Sequence, residues 1–159
     1  MKNLIFIAVV LATWSCTPAS KAPEVEQMEV KPIEADYISP AAFAELDLPF
    51  SQLVKYGDVL YLSGQIGTLP GAGQLIEGGI VPETQQTMKN IKAVLEANNS
   101  SMDQVIKCTC MLVDMSEWPA MNQEYVKFFP NQKPARSAFG ATGLALGARV
   151  EIACVAYAK

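Results

Sequence analysis

The residues from Pro134 to Ala156 read PARSAFGATGLALGARVEIACVA and are the most informative part of the sequence for the fold. This stretch has two β-rich ends around a glycine-rich connection, which is typical of two strands. Both arginines of the chain, Arg136 and Arg149, lie here, although lysine and arginine together number 12. A guanidinium group can hold a carboxylate through two parallel hydrogen bonds, so the stretch predicts a site for a small carboxylate. The alternative is that both arginines form surface ion pairs, which are common and weak.

Glu151 is the single carboxylate of this stretch and lies between Val150 and Ile152. By the two-residue period of a strand, it shares a face with Arg149, Ala153 and Val155. A solvated sheet face is the ordinary position for such a side chain. In a partly buried site, however, desolvation would raise the pKa of the carboxyl group and suit it to proton transfer.

The composition of the whole chain excludes several kinds of function. With 159 residues, of which half are hydrophobic and 18% are charged, the chain has the size of one domain with additions. The net charge of −4, without a basic cluster, argues against nucleic acid as a partner. The absence of histidine excludes Ser-His-Asp catalysis and histidine-based zinc sites, so acid–base chemistry falls to other groups.

Hydrophobic periodicity predicts the elements on either side of the stretch. Two helices packed on one mixed sheet indicate an α+β domain. The predicted elements are a hairpin over 48–66, a short strand or arm over 75–80, a helix over 83–98, a strand over 105–113, a helix over 118–129, and strands over 136–141 and 148–158.

Three polar or small residues of these elements are candidates for a site. Gly64 lies inside the second strand of the hairpin, which predicts a bulge or a close approach to the backbone. Ser63 has no general base near it in the sequence, so we do not expect a nucleophilic serine. Asn122 lies on the polar side of the second helix, where a surface position is the ordinary interpretation.

Three cysteines lie within the predicted domain: Cys108, Cys110 and Cys154. Alternation predicts that Ile106, Cys108, Cys110 and Leu112 share one face of their strand. The spacing is not that of a zinc site. We expect three small buried hydrophobic side chains, and an oxidising location would also permit a disulfide from Cys154 to one of the other two.

The N-terminus resembles a bacterial lipoprotein signal. Lys2 is followed by an apolar run from Leu4 to Ala12 that is too short to span a membrane, and Ser15 precedes Cys16. We therefore expect a signal peptide over 1–15, a lipid on Cys16, a flexible tether over 16–46 and a folded domain over 47–159. The predicted location is exported and membrane-anchored, and the alternative is cytoplasmic.

Six short blocks of sequence follow one another along the chain. They are LPFSQ at 48–52, LSGQI at 62–66, NIKAVLE at 90–96, Met121-Asn122 with Tyr125 and Phe128-Phe129, PARS at 134–137, and VEI at 150–152. In this order and spacing they resemble the RidA (YjgF) family of reactive-intermediate imine deaminases over roughly residues 47–158.

This resemblance implies a chorismate-mutase-like α+β fold in a homotrimer whose pockets use residues from two chains. It also implies hydrolysis of enamines and imines, such as 2-aminoacrylate and 2-iminobutyrate, to 2-oxo acids and ammonia, without a metal or an organic cofactor. The alternative is a non-catalytic protein of the same fold that binds small carboxylates.

The resemblance also assigns roles to individual residues. Arg136 would bind the substrate carboxylate, and Glu151 would activate water and handle the proton of the leaving nitrogen. The remaining pocket residues that it implies are Phe50, Ser63, Gly64, Asn122 and Ala138. Phe50 replaces a tyrosine that many members have, and Ala138 replaces a cysteine that is thought to act through its backbone.

Overall fold

The computed structural model describes residues 32–158, which form one six-stranded sheet with two longer helices packed on one of its faces. The strands are β1 (Ala35–Ile38), β2 (Leu53–Tyr56), β3 (Val59–Leu62), β4 (Val105–Leu112), β5 (Ala135–Gly140) and β6 (Val150–Tyr157), and the helices are α1 (Ala41–Ala44), α2 (Ile80–Glu96) and α3 (Trp118–Tyr125). The sheet order is β1-β2-β3-β6-β4-β5, and β4–β5 is its one parallel pair. The predicted α+β class with a mixed sheet is confirmed.

Strand β6 lies in the middle of the sheet, and its alternation separates two environments. Val150, Ile152, Cys154 and Ala156 are buried, whereas Glu151 and the other residues of the opposite face are half-buried or exposed. The buried face packs against α2 and α3 through fully buried side chains such as Met88, Ile91, Leu95 and Met121. Strand β6 thus contributes buried side chains to the core from one face and carries Glu151 on the other.

One predicted face is wrong at its first position. Ile106 is 49% exposed, and Val105 is buried in its place. The register against β6 shifts between Val105 and Lys107, so an irregularity interrupts the two-residue period there. From Cys108 to Leu112 the alternation holds as predicted.

Helix α2 begins earlier than the sequence pattern predicts. Ile80, predicted in a short strand or arm, is the first residue of the helix, and Pro82 lies in its first turn. Gly79 precedes the helix with φ +87°, a conformation that glycine adopts without strain. The predicted helix over 118–129 is divided between α3 and a 3-10 segment, Val126–Phe128.

Residues 35–44 carry regular structure where the sequence predicts part of a tether. β1 pairs antiparallel with β2, and α1 follows after two residues. The tether prediction is therefore corrected for this part of 16–46. The signal peptide, Cys16 and the first half of the tether lie outside the described residues. Across residues 32–158, no helix combines the length and the apolar character needed to cross a membrane.

The sheet face opposite the helices is open and aromatic. Tyr61, Phe139 and Tyr157 are 41–49% exposed. The cross-strand pairs Tyr61–Val155 and Met111–Phe139, together with Met111–Glu151, place these side chains on the face that carries Glu151. We call this surface the open face.

Candidate active site

Arg136 lies near the start of β5, the edge strand beside α3, as the sequence predicts. Its Nη1 donates a hydrogen bond of 2.7 Å to Oδ1 of Asn122. The same oxygen accepts a 3.1 Å hydrogen bond from Nε1 of Trp118. The guanidinium carbon lies 4.9 Å from the ring centroid of Tyr125, in a cation–π arrangement. Asn122 is thus not an isolated surface residue but the group that orients Arg136.

The guanidinium group is prepared to hold an anion. Asn122 takes one of its five N–H donors, and within residues 32–158 no carboxylate pairs with it. A cleft of about 480 Å³ lies next to it, lined by residues of α3, by Lys133 and Pro134, and by Arg136. Two positive side chains at one concave surface favour a small anion. We call Arg136, Asn122, Tyr125 and Ala138, which shares the Arg136 face of β5, the arginine half-site.

The other predicted catalytic residue, Glu151, packs against Gly64. A Cβ placed on Gly64 would overlap with the carboxylate and the Cγ of Glu151, so the glycine leaves the space that the side chain occupies. The pairing of β3 with β6 slips here: Tyr61 faces Val155, yet Gln65, four residues on, faces Ile152, only three residues back. The predicted irregularity and close approach at Gly64 are both present.

The neighbours of Gly64 are held by side-chain hydrogen bonds. The hydroxyl of Ser63 donates to the carbonyl oxygen of Ser51 at 2.6 Å, which ties it to the backbone. Nε2 of Gln65 donates to the carbonyl oxygen of Ser63 at 3.0 Å. Sequence reasoning missed Gln65, although its position beside Gly64 was a signal. We call Ser63, Gly64, Gln65 and Glu151 the glutamate half-site.

Phe50 lies in the segment before β2, where it is 49% exposed. Its ring meets that of Phe43 of α1 edge-on, at 5.9 Å between centroids. An exposed aromatic ring of this kind can cover a ligand or a neighbouring chain, but the described contacts connect it to neither half-site.

The two half-sites lie on opposite faces of the sheet. Arg136 pairs with Cys108 across the parallel ladder, and Cys108 pairs with Cys154, so all three point to the helix face. Glu151 is three positions from Cys154, and an odd separation along a strand reverses the face. One chain therefore does not bring its two predicted catalytic residues together.

Arg149 and a buried carboxylate support the start of β6. Nε of Arg149 donates to both carboxylate oxygens of Glu117, at 2.9 and 3.0 Å, so Arg149 is the surface-pairing arginine. Oε1 of Glu83, which is 3% exposed, accepts from the backbone N–H groups of Arg149 and Val150 at 2.6 and 3.2 Å. Sequence reasoning did not single out Glu83, because its partner lies 66 residues away.

The described residues hold no cluster of three or more acidic, histidine or cysteine side chains that could bind a metal.

The model of one family, described as Endoribonuclease L-PSP, matches residues 41–158. A mouse protein named 2-iminobutanoate/2-iminopropanoate deaminase is 39% identical over 108 residues, which cover 68% of this chain and 80% of the mouse protein. An Arabidopsis protein named Reactive Intermediate Deaminase A, chloroplastic, is 35% identical over 108 residues, or 68% of this chain and 58% of its own.

Solved structures show the same architecture. RidA from an Antarctic Psychrobacter bacterium is 33% identical, with a TM-score of 0.67 over 80% of this chain and 98% of that one. The structure of TdcF from E. coli with bound serine is 26% identical, with a TM-score of 0.68 over 81% of this chain and 99% of that one.

Proposed function

This chain belongs to the RidA (endoribonuclease L-PSP) family, and we propose that it hydrolyses short-lived enamines and imines of small carboxylates to 2-oxo acids and ammonia. Relatives that are 35–39% identical are named for this activity or as reactive-intermediate deaminases. The observation on the chain itself that carries the proposal is the oriented guanidinium of Arg136, which has no protein carboxylate paired with it among the described residues.

Arg136 would bind the substrate carboxylate through two parallel hydrogen bonds, while Asn122 and the ring of Tyr125 hold it in place. Such binding fixes the C=N carbon relative to the attacking water and replaces a bimolecular encounter by a positioned one. An imine carbon is already electrophilic, so the chain needs no nucleophilic side chain. The hydroxyl of Ser63 donates to the carbonyl oxygen of Ser51, so Ser63 would shape the pocket and would not act as a nucleophile.

Glu151 would handle the protons. Starting from the protonated imine, it would accept a proton from water as the oxygen attacks the C=N carbon, which gives a neutral tetrahedral carbinolamine. It would deliver that proton to the nitrogen and then take the hydroxyl proton as the C–N bond breaks, which leaves the 2-oxo acid. The proton finally passes to the released ammonia, which leaves as ammonium. Proton transfer of this kind typically contributes on the order of 100- to 10,000-fold to a rate.

We propose that the complete pocket forms in a homotrimer, between the arginine half-site of one chain and the glutamate half-site of the next. Two features support this: the half-sites face opposite directions in one chain, and the open face exposes Tyr61, Phe139 and Tyr157. Exposed aromatic side chains around a sheet are the surface that self-association buries. In such an assembly the half-buried Glu151 would be enclosed by a neighbour.

For location, we propose export and attachment to a membrane by a lipid on Cys16. The support is in the sequence: a positive start, a short apolar run and Ser15 before the cysteine. Mass analysis of the N-terminus of the cell-derived protein decides this, and an unprocessed Met1 would favour the cytoplasmic alternative.

Binding of small carboxylates without turnover is the second candidate function. The observation that favours it is the separation of the half-sites, because the arginine half-site can hold an anion with no contribution from Glu151. Cleavage of RNA, which the name of the family model suggests, fits poorly with a chain of net charge −4 that has no histidine.

A coupled assay tests the proposed function. A threonine dehydratase generates the imine from threonine, and the appearance of 2-oxobutyrate is followed with and without the purified chain. We expect the chain to accelerate this step above spontaneous hydrolysis, and Arg136→Ala to abolish the acceleration. Arg149→Ala is the matched control, because it removes the other arginine and leaves activity near wild type. Equal acceleration by Arg136→Ala would overturn the proposal, and saturable binding without acceleration would establish the second candidate.

A further inference from the structure

Two of the buried cysteines face each other directly across β4 and β6. Ile152 of β6 makes both of its backbone hydrogen bonds to Gln65, at 2.9 Å each, so it makes none to β4 and is a non-hydrogen-bonded pair with Cys110. Hydrogen-bonded and non-hydrogen-bonded pairs alternate along an antiparallel ladder. Cys108 and Cys154, which lie two pairs further along, are therefore also a non-hydrogen-bonded pair. The Cα atoms of such a pair are about 4.5 Å apart, inside the range of about 4.4–6.8 Å that disulfides span.

The third cysteine lacks this arrangement. Cys110 has Ile152 as its neighbour in β6 and Ala138 in β5. All three thiols are free and buried. The register thus distinguishes one pair that can form a disulfide without movement of the backbone from a third cysteine that cannot take part in the same way.

The pair lies directly behind the arginine half-site. Tyr125 is 6% exposed, and within residues 32–158 its hydroxyl has no hydrogen-bond partner that satisfies standard geometry. The group it meets is the sulfur of Cys108. The guanidinium group of Arg136 lies over the Tyr125 ring, and both residues line the cleft of the half-site. Arg136 is also the direct neighbour of Cys108 across β4 and β5. A small molecule in that cleft is one side chain away from Cys108.

The two thiols differ in their readiness to ionise. A hydrogen bond from Cys154, assisted by Tyr125 and by the positive charge of Arg136, lowers the pKa of the Cys108 thiol against the effect of burial. The same hydrogen bond, with burial, raises the pKa of Cys154, which keeps its proton. Burial and then the negative charge on Cys108 raise the pKa of the Cys110 thiol to about 12. This is the asymmetry of an attacking and a resolving cysteine.

We propose that Cys108 and Cys154 form a reversible disulfide site beneath Arg136, for which hydrogen peroxide is the oxidant. The sulfur of the Cys108 thiolate attacks one peroxide oxygen, the O–O bond breaks, and the released hydroxide takes up a proton to become water. The sulfur of Cys154 then attacks the sulfenic acid sulfur of Cys108, the S–O bond breaks, and the hydroxyl group leaves as water with the Cys154 proton. The two thiols lose two electrons, and the peroxide becomes two water molecules.

Mass spectrometry of the purified full-length chain tests the site. The protein is treated with peroxide, unfolded in the presence of iodoacetamide, and digested with trypsin. Cleavage after Lys107 and Lys127 places Cys108 and Cys110 in one peptide, so variants must separate them. In wild type we expect this peptide to be linked to the one that contains Cys154, and a dithiol reductant to release it.

The matched variant is Cys110→Ala, which changes a cysteine on the same face of the same strand and keeps the opposed pair. We expect it to form the link as wild type does, and Cys108→Ala and Cys154→Ala to form none. A link that is lost in Cys110→Ala, or oxidation of Cys108 to sulfinic acid without a link, would overturn the proposal. If Cys108→Ala does not fold, the Cys110→Ala variant still tests the proposal, because Cys108 is then the only cysteine of its tryptic peptide.

Discussion

The carboxylate of Glu151 occupies the space that a side chain at Gly64 would fill. This contact lies where the end of the first hairpin meets the start of the last strand, beside the bridge between Gln65 and Ile152, and it depends on the missing Cβ. It fixes Glu151 on the open face of the sheet without an ion pair among the described residues.

Gly64→Ala should therefore inactivate the protein through Glu151. The added Cβ must push the carboxylate away, and a displacement of about 1 Å at a catalytic group can cost about 100-fold in rate. We expect kcat to fall by that order in the coupled assay. Gly143→Ala is the control, because nothing lies within 4 Å of a Cβ built there, and it should keep its rate. A Gly64→Ala protein with wild-type kcat would mean that Glu151 does not take part in the reaction where it lies here.

Close approach at Gly64 was predictable because a glycine inside a β-rich run has few other reasons to be there. The same holds for the buried alternation of β6, where every second residue from Val150 is apolar. Local pattern was enough in both cases.

Other features depend on partners that no local pattern reveals. The irregularity that exposes Ile106 is set by the register against β6. The position of the two half-sites on opposite faces of the sheet depends on the parallel pairing of β5 with β4. β1 is short and only half-buried at its ends, so it has no apolar period to distinguish it from a tether. The sequence thus indicates candidate site residues, but it does not indicate on which face of the sheet each of them lies.

Asn122→Ala tests whether Arg136 must be held. Removing Oδ1 takes away a hydrogen bond to a charged group, which typically contributes about 1.5–3 kcal/mol. We expect KM for the imine to rise about tenfold or more, with a smaller change in kcat, because the guanidinium binds the carboxylate in the ground state as well as in the transition state. Asn131→Ala removes an exposed amide that does not line the cleft, and it should leave KM unchanged. A fall in kcat at constant KM would contradict the positioning role.

Glu83→Ala should destabilise the fold without touching either half-site. It leaves the buried N–H of Val150 without an acceptor, which costs roughly 1–3 kcal/mol. Urea unfolding followed by circular dichroism should show this loss as a lower midpoint at an unchanged slope. Glu77→Ala, an exposed carboxylate just before α2, should fall within the ordinary surface range of about 0.5 kcal/mol either way. Equal urea midpoints for the two variants would show that Glu83 does not stabilise the start of β6.

Because Arg136 and Glu151 face opposite sides of one sheet, two inactive variants should restore activity when they assemble together. The Arg136→Ala and Glu151→Gln chains are co-expressed with different tags, and assemblies that carry both tags are purified. In these assemblies, the arginine of a Glu151→Gln chain can meet the glutamate of an Arg136→Ala chain in one pocket. Every trimer that carries both tags has one complete pocket out of three, so we expect about a third of the wild-type activity. Co-expression of Arg136→Ala with an Arg136→Ala/Glu151→Gln double variant supplies no arginine and should stay inactive. If the mixed assembly is as inactive as its parents, each pocket takes both residues from one chain, and the shared-site proposal is wrong.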